Sequence, residues 1–182
     1  MNLKRACRIS TFFVLGYVSV IYLTLPVMRP VLNYLKAQLG ARFSLLTDIA
    51  LIAVMAGLAI ILVKNKVTWK QCIWALIVFC LYGYGLKVLT IPEERIHLLE
   101  YGFLSYLVFK MYRSEQLPLS LFWQSFLTVS FLGTLDEIIQ YFIPSRVGDV
   151  RDIILNIVSG LLGLVLTVIL TQKPTKNLSK NT

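Results

Sequence analysis

The sequence is poor in charged residues and poorer still in acidic ones. Of its 182 residues only 15% are charged, with 9 Asp and Glu against 18 Lys and Arg, and there is a single His. A soluble domain carries about 25% charged residues. Hydrophobic residues make up 57% of the chain, and the mean hydropathy is +0.74. These values exclude an ordinary soluble protein and predict one integral membrane domain.

Cysteine is also scarce, and its placement excludes two common kinds of site. Cys7, Cys72 and Cys80 are odd in number and have no metal-type spacing, so neither a disulfide framework nor a zinc site is predicted. We assign no metal ligands, and the sequence requires no cofactor. The chain has no internal repeat, which makes a transporter built from repeated halves a poorer fit.

The net charge of +9 comes from short basic clusters that lie between apolar runs. This placement follows the positive-inside rule of membrane proteins and argues against a nucleic-acid-binding face. We therefore expect no nucleic acid among the partners.

The apolar runs predict an all-α fold, a polytopic transmembrane helical bundle of about six spans, or five if two short ones merge. A retained first span is preferred to a secretory signal peptide, because no small-x-small cleavage pattern follows it. Between the first two spans, the basic stretch 29–43 is expected to form a connector, with a short interfacial helix as one option. The expected spans are residues 9–27, 45–63, 71–86, 91–112, 118–142 and 149–171.

The spans group into two parts of a single membrane domain. Residues 1–90 hold spans one to three with the basic connector, residues 91–171 hold a core of spans four to six, and residues 172–182 form a polar tail. An even number of spans places both termini on one side, and that side collects most of the Lys and Arg residues. We expect it to be cytoplasmic, which gives an N-in/C-in topology and a cytoplasmic tail.

This topology brings polar residues from spans four, five and six together in the outer leaflet. His97, Asp136 and Glu137 are the candidates for proton transfer, although no catalytic role is assigned. Ionisable groups inside a membrane are costly and therefore suggest function. Below the polar residues, Gly160 and Gly163 of span six predict close helix packing. The candidate binding residues are Glu100, Tyr101, Gln140, Arg146, Asp149, Asp152 and Asn156.

Several of these residues also have a purely structural explanation. Asp149 and Asp152 fit a helix N-terminus, where the dipole favours acids. Arg146 and Arg151 fit interfacial anchors, and Asp48 fits a solvated residue at the outer end of span two. The structural explanation is weaker for the Asp136–Glu137 pair, because the C-terminal end of a helix disfavours acids.

Three motifs in order resemble the VanZ-like family of small bacterial membrane proteins. RIHLLEYGFL at 95–104 fits the family's His-x-x-x-Tyr-x-x-Leu helix. DEIIQYFIPSR at 136–146 fits its Asp-Glu-x-x-Gln-x-x-x-Pro-x-Arg segment, and DIILNIVSGLLG at 152–163 fits its Asp-x-x-x-Asn-x-x-x-Gly-x-x-Gly segment. Many relatives have a basic residue three positions before the His, where this chain has Glu94. The resemblance covers residues 95–170, and the earlier spans match nothing in particular.

The resemblance implies a multi-pass protein of the bacterial cytoplasmic membrane that acts in the cell envelope. The family is named for a protein associated with reduced susceptibility to the glycopeptide antibiotic teicoplanin. The expected partners are a membrane lipid or a lipid-linked cell-wall intermediate, with a glycopeptide antibiotic as a further candidate. The resemblance assigns neither a reaction nor an oligomeric state.

Three functions remain open on the sequence alone. The polar residues form a cleft that binds a lipid or glycopeptide headgroup, or they form a membrane-embedded hydrolase or transferase that uses acid/base or metal-assisted chemistry. In the third hypothesis they form a structural network that fixes the bundle. Whether the protein is an enzyme is therefore left undecided.

Overall fold

The computed structural model describes residues 3–65, 67–89, 91–113, 118–144, 146 and 148–171, which form an all-α bundle as predicted. The expected polar tail at 172–182 lies outside these residues. The helices are α1 Leu3–Leu39, α2 Ala41–Lys64, α3 Trp69–Val88, α4 Pro92–Tyr112, α5 Pro118–Tyr141 and α6 Val150–Thr171.

Four of these helices are long and apolar enough to cross a membrane: α1 from Ile9, α2, α3 and α6. The chain is therefore a multi-pass membrane protein with four candidate spans among its described residues. The described segments form the six helices that were predicted as spans, and four of the six are candidate spans. The other two helices, α4 and α5, are not among the candidate spans, and both contain acidic residues. The two acids of α5, Asp136 and Glu137, are buried.

The expected connector at residues 29–43 is not a separate element. Helix α1 continues through Pro26 and Pro30 to Leu39 and ends before Gly40, whose φ of +53° favours glycine. The prediction of an end near residue 27 was wrong because proline is tolerated inside membrane helices, where neighbouring groups compensate the lost hydrogen bond. The buried face of α1 consists of Val14, Ile21, Leu25 and Leu32.

Helix α6 lies at the centre of the core, packed against α3, α4 and α5. A Cβ on Gly163 would overlap the backbone of Gly102 in α4, and a Cβ on Gly160 would lie 2.7 Å from Val129 in α5. Ser105 of α4 donates a hydrogen bond to the Gly160 carbonyl at 2.6 Å. The small residues of α6 thus allow the backbone contact that the sequence predicted.

The two ends of the bundle differ in charge. At the end that we call the polar end, α4 and α6 begin and α5 ends, and Arg151 of α6 approaches Glu94 of α4. At the opposite end, which we call the basic end, α4 and α6 finish side by side, and Arg113 donates to the Thr171 carbonyl. The acids of the described segments all belong to the polar end and its adjoining turns.

The backbone contact between α4 and α6 predicts different responses from two glycines in apolar helices. We expect Gly163→Ala to lower the free energy of unfolding by about 1–3 kcal/mol, because the methyl group forces the helices apart. Gly57→Ala in α2 is the matched control, since a Cβ there meets nothing within 4 Å. Titration with SDS in detergent micelles measures both. Equal stability of the two variants would contradict the contact.

Candidate functional site

The site is built around two acids on the last turns of α5. Asp136 is completely buried, and one of its carboxylate oxygens accepts a hydrogen bond from the Tyr101 hydroxyl of α4 at 2.8 Å. Glu137 is 2% exposed and accepts from the Gln140 amide at 3.1 Å. The α4 and α5 motifs therefore meet directly, and the Tyr101–Asp136 bond joins them.

Helix α6 contributes Asn156 to the same region. Asn156 is completely buried, and its amide donates to the Gly133 carbonyl of α5 at 3.2 Å. Gly133 must be small, because a Cβ there would lie 2.9 Å from the Asn156 side chain and 3.2 Å from the Tyr101 ring. At Gly133 the backbone of α5 thus fits between Tyr101 of α4 and Asn156 of α6.

His97 lies beside this buried pair on a less buried face. Its Nδ1 is 3.5 Å from a carboxylate oxygen of Glu100, and its side chain is 14% exposed against 25% for Glu100. His97 also interacts electrostatically with both Asp136 and Glu137, and Glu137 does so with Asp152. Predicted residues of three helices therefore lie together. We call this group the acidic cluster; it consists of His97 and Glu100 of α4, Asp136 and Glu137 of α5, and Asp152 and Asn156 of α6.

Several oxygens of the acidic cluster and its neighbour Glu94 have no hydrogen-bond partner among the described residues. One carboxylate oxygen each of Asp136, Glu137 and Glu94 is buried and unpaired, as is the side-chain oxygen of Asn156. An unsatisfied buried polar group costs about 1–3 kcal/mol. These four oxygens are hydrogen-bond acceptors, and the Nδ1 of His97 is a fifth buried atom of this region without a hydrogen-bond partner among the described residues. The oxygens require hydrogen-bond donors.

The remaining predicted residues lie at the polar end, outside the acidic cluster. Asp149 is exposed and caps α6, with its carboxylate accepting from the Arg151 backbone at 2.9 Å. Arg151 is exposed and lies 3.4 Å from Glu94, which is buried. Arg146 donates to the Leu25 carbonyl of α1 at 3.4 Å. The capping explanation accounts for the observed contact of Asp149.

Comparison with models of protein families identifies one that matches the chain. The VanZ/LLP1 family matches residues 9–171, which is most of the sequence. The chain belongs to the VanZ/LLP1 family. No curated protein and no solved structure matches it.

The VanZ/LLP1 match extends well beyond the three motifs and corrects our reading of the first spans. They were expected to match nothing in particular, yet the family includes them from residue 9 onward. The structure shows what α1 adds. Tyr17 donates to the Glu100 carbonyl at 3.3 Å, and Tyr22 donates to the Leu132 carbonyl at 2.8 Å. Helix α1 is thus a fourth helix next to the acidic cluster. The three polar motifs did not predict this position of α1.

A second correction concerns Asp48 of α2, which was expected to be merely solvated. Its carboxylate accepts a hydrogen bond from Arg95 at 2.5 Å, and the same guanidinium donates to Ser44 and to the Leu89 carbonyl. Arg95 is 9% exposed. A buried charge requires such partners. The sequence signal for this ion pair was Arg95 itself, a basic residue in the first turns of an apolar helix.

The described residues contain no group of three or more His, Cys, Asp or Glu side chains arranged to hold a metal ion. Five residues of the acidic cluster are of these types, namely His97, Glu100, Asp136, Glu137 and Asp152. Their contacts are with one another in pairs and with Tyr101 and Gln140. The arrangement as it stands is a chain of hydrogen-bonded and charged pairs.

The Tyr101 hydroxyl predicts a stability effect that an exposed tyrosine lacks. We expect Tyr101→Phe to lower the free energy of unfolding by about 1–3 kcal/mol, because it removes the partner of a completely buried carboxylate. Tyr84→Phe, at a position that is 65% exposed, is the control. Thermal unfolding in detergent compares them. A Tyr101→Phe variant as stable as the control would show that the bond contributes nothing.

Proposed function

We propose that the acidic cluster binds the headgroup of an envelope lipid or a lipid-linked cell-wall intermediate through hydrogen-bond donors on that headgroup. Sugar hydroxyls, primary ammonium groups and amide N–H groups are donors of this kind. The observation that supports the proposal is the set of unpaired buried acceptors on Asp136, Glu137, Glu94 and Asn156. A donor-bearing headgroup would satisfy them and remove their cost.

The burial pattern indicates the direction of approach. Asp136 and Asn156 are completely buried, whereas His97, Glu100 and Asp152 are partly exposed. A headgroup would enter past the partly exposed residues and meet the buried acceptors behind them. Arg146 and Arg151 at the polar end offer guanidinium groups to a phosphate or carboxylate of the same ligand.

Membership in the VanZ/LLP1 family gives this chemistry a biological setting. The family resemblance implies a cell-envelope protein, and the family is named for a protein associated with reduced susceptibility to teicoplanin. We propose that this chain modulates susceptibility to such glycopeptides. A glycopeptide of this kind carries sugar hydroxyls and amide groups, which are hydrogen-bond donors that fit the acidic cluster. We therefore include teicoplanin itself among the candidate ligands.

A membrane-embedded hydrolase or transferase is the second candidate, and the position of His97 favours it. An imidazole next to Glu100 and within electrostatic reach of Asp136 and Glu137 is arranged to accept and return a proton. The substrate would be the same class of envelope lipid or cell-wall precursor. Binding and catalysis differ in whether the bound lipid is released unchanged.

The charge asymmetry supports a location and an orientation. We propose that the protein resides in the bacterial cytoplasmic membrane with the basic end in the cytoplasm and the polar end outside, so that both termini are cytoplasmic. Lys64, Lys70, Lys110 and Arg113 lie at the basic end, as the positive-inside rule requires.

The headgroup proposal predicts a preference between two zwitterionic lipids. Wild-type protein is expected to bind phosphatidylethanolamine more tightly than phosphatidylcholine, whose quaternary ammonium has no N–H donor. Glucosyl-diacylglycerol and teicoplanin extend the series. Glu137→Gln should weaken binding of the donor-bearing lipid by about 10-fold or more, because a hydrogen bond to a charged group contributes about 1.5–3 kcal/mol.

Native mass spectrometry of the detergent-solubilised protein measures these affinities, with Lys87→Gln as the control for a charge change outside the cluster. Equal affinity for the two zwitterionic lipids, or no effect of Glu137→Gln, would refute the proposal. Loss of stability together with binding would instead support a structural network. A recovered lipid of changed mass, formed only when His97 is present, would favour the enzyme.

The orientation predicts opposite accessibility at the two ends. In a background without Cys7, Cys72 and Cys80, cysteine at position 149 should react with a membrane-impermeant maleimide added outside intact cells. Cysteine at position 70 should react only after lysis. Both positions are exposed, so burial does not confound the comparison. The reverse labelling pattern would invert the topology.

A further inference from the structure

A second candidate ligand site lies away from the acidic cluster, in a groove between α2, α4 and α6. It has a volume of about 450 Å³ and is lined by apolar side chains such as Met55, Leu58, Phe103 and Leu166. This is within the range of about 300–1,000 Å³ that is typical of small-molecule sites. We call it the α2 groove.

Five residues with polar side-chain atoms line the α2 groove, namely Asn65, Tyr82, Tyr106, Thr167 and Thr171, and two of them bond within their own helix. The Thr167 hydroxyl donates to the Gly163 carbonyl at 2.8 Å, and the Thr171 hydroxyl donates to the Thr167 carbonyl at 2.8 Å. Both hydroxyls are therefore used within α6.

A second, smaller cavity of about 330 Å³ on the other side of α2 shares Met55 and Tyr82 with the groove. Helix α2 is thus loosely packed along its middle.

The length of the α2 groove matches one leaflet of a bilayer. On α2 the lining runs from Val54 to Asn65 at the basic end of the helix. At a rise of 1.5 Å per residue, this is roughly 16 Å. Half of the hydrocarbon core is about 15 Å thick. Along α2 the groove therefore runs from the basic end to the middle of the helix and has the depth of a single acyl chain, while on α4 its lining reaches Leu98 and Leu99.

Basic side chains lie next to lining residues of the α2 groove at the basic end of the bundle. The ammonium group of Lys110 lies 5.0 Å from the centre of the Tyr106 ring, which lines the groove. Arg113 donates to the carbonyl of Thr171, another lining residue, at 3.5 Å. Lys64 precedes the lining residue Asn65. None of the acids in the described segments belongs to this end.

We propose that the α2 groove binds one acyl chain of an anionic phospholipid, whose phosphate is held by Lys110 and Arg113 at the basic end. The apolar lining, the depth of one leaflet and the positive charge at the basic end together fit this ligand. The site is independent of the headgroup site at the polar end. The bound lipid fills the space beside α2 that the protein's own side chains leave open.

Native mass spectrometry with two dioleoyl lipids tests the proposal. Phosphatidylmethanol is anionic and phosphatidylcholine is zwitterionic, and neither head has a hydrogen-bond donor to engage the acidic cluster. We expect wild-type protein to bind the first copy of phosphatidylmethanol several-fold more tightly than phosphatidylcholine. Glu137→Gln should leave this preference unchanged, so a failure of one proposal is distinguishable from a failure of the other.

Two pairs of variants separate the acyl-chain contact from the charge contact. Ile61→Trp fills the α2 groove and should weaken binding of both lipids about tenfold. Ile60→Trp, at the neighbouring position outside the lining, should not; Ile60 is 56% exposed and Ile61 46%. The double variant Lys110→Gln/Arg113→Gln should abolish the preference for the anionic lipid. Arg42→Gln/Lys87→Gln removes one Arg and one Lys from exposed positions at the polar end and should preserve it.

Thermal unfolding of the two tryptophan variants checks that both are folded to the same extent. Equal binding of the two lipids by wild-type protein would overturn the proposal, as would identical behaviour of Ile61→Trp and Ile60→Trp. A dimer that Ile61→Trp dissociates, with lipid binding unchanged, would show instead that the groove accommodates a second copy of the chain.

Discussion

The constraint on which this structure depends is the placement of carboxylates inside an apolar bundle. A buried charge is tolerated only with partners, and here the partners come from different helices. Asp136 of α5 is joined to Tyr101 of α4, Glu94 of α4 to Arg151 of α6, and Asp48 of α2 to Arg95 of α4. Each pair fixes the relative depth of two helices, so the polar residues define the arrangement of the bundle as much as its apolar packing does.

Close packing and polar contact support each other in this bundle. The glycines of α6 allow its backbone to reach α4 and α5, and only at such short separations can Asn156 reach the Gly133 carbonyl and Ser105 reach the Gly160 carbonyl. The same approach brings His97, Asp136 and Glu137 within electrostatic reach. The acidic cluster therefore exists because small residues lie below it on α6.

The sequence predicted the all-α fold and the meeting of spans four, five and six, since helical periodicity and the alternation of helix direction determine which residues share a face and an end. It did not predict the continuation of α1 past Pro26 and Pro30, because proline in a linear sequence signals an end. Nor did it predict the pairing of Asp48 with Arg95. The choice of partner between two distant charged residues depends on helix packing, which leaves no local pattern.

Helix α1 approaches the core through bonds to main-chain carbonyls, from Tyr17 to Glu100, from Tyr22 to Leu132 and from Arg146 to Leu25. A main-chain carbonyl is the same acceptor whatever side chain its residue carries. These three bonds therefore do not depend on which side chains occupy the three accepting positions, whereas they require the three donors. Only the side-chain packing of α1, such as Tyr17 against Phe103, requires both members of a pair.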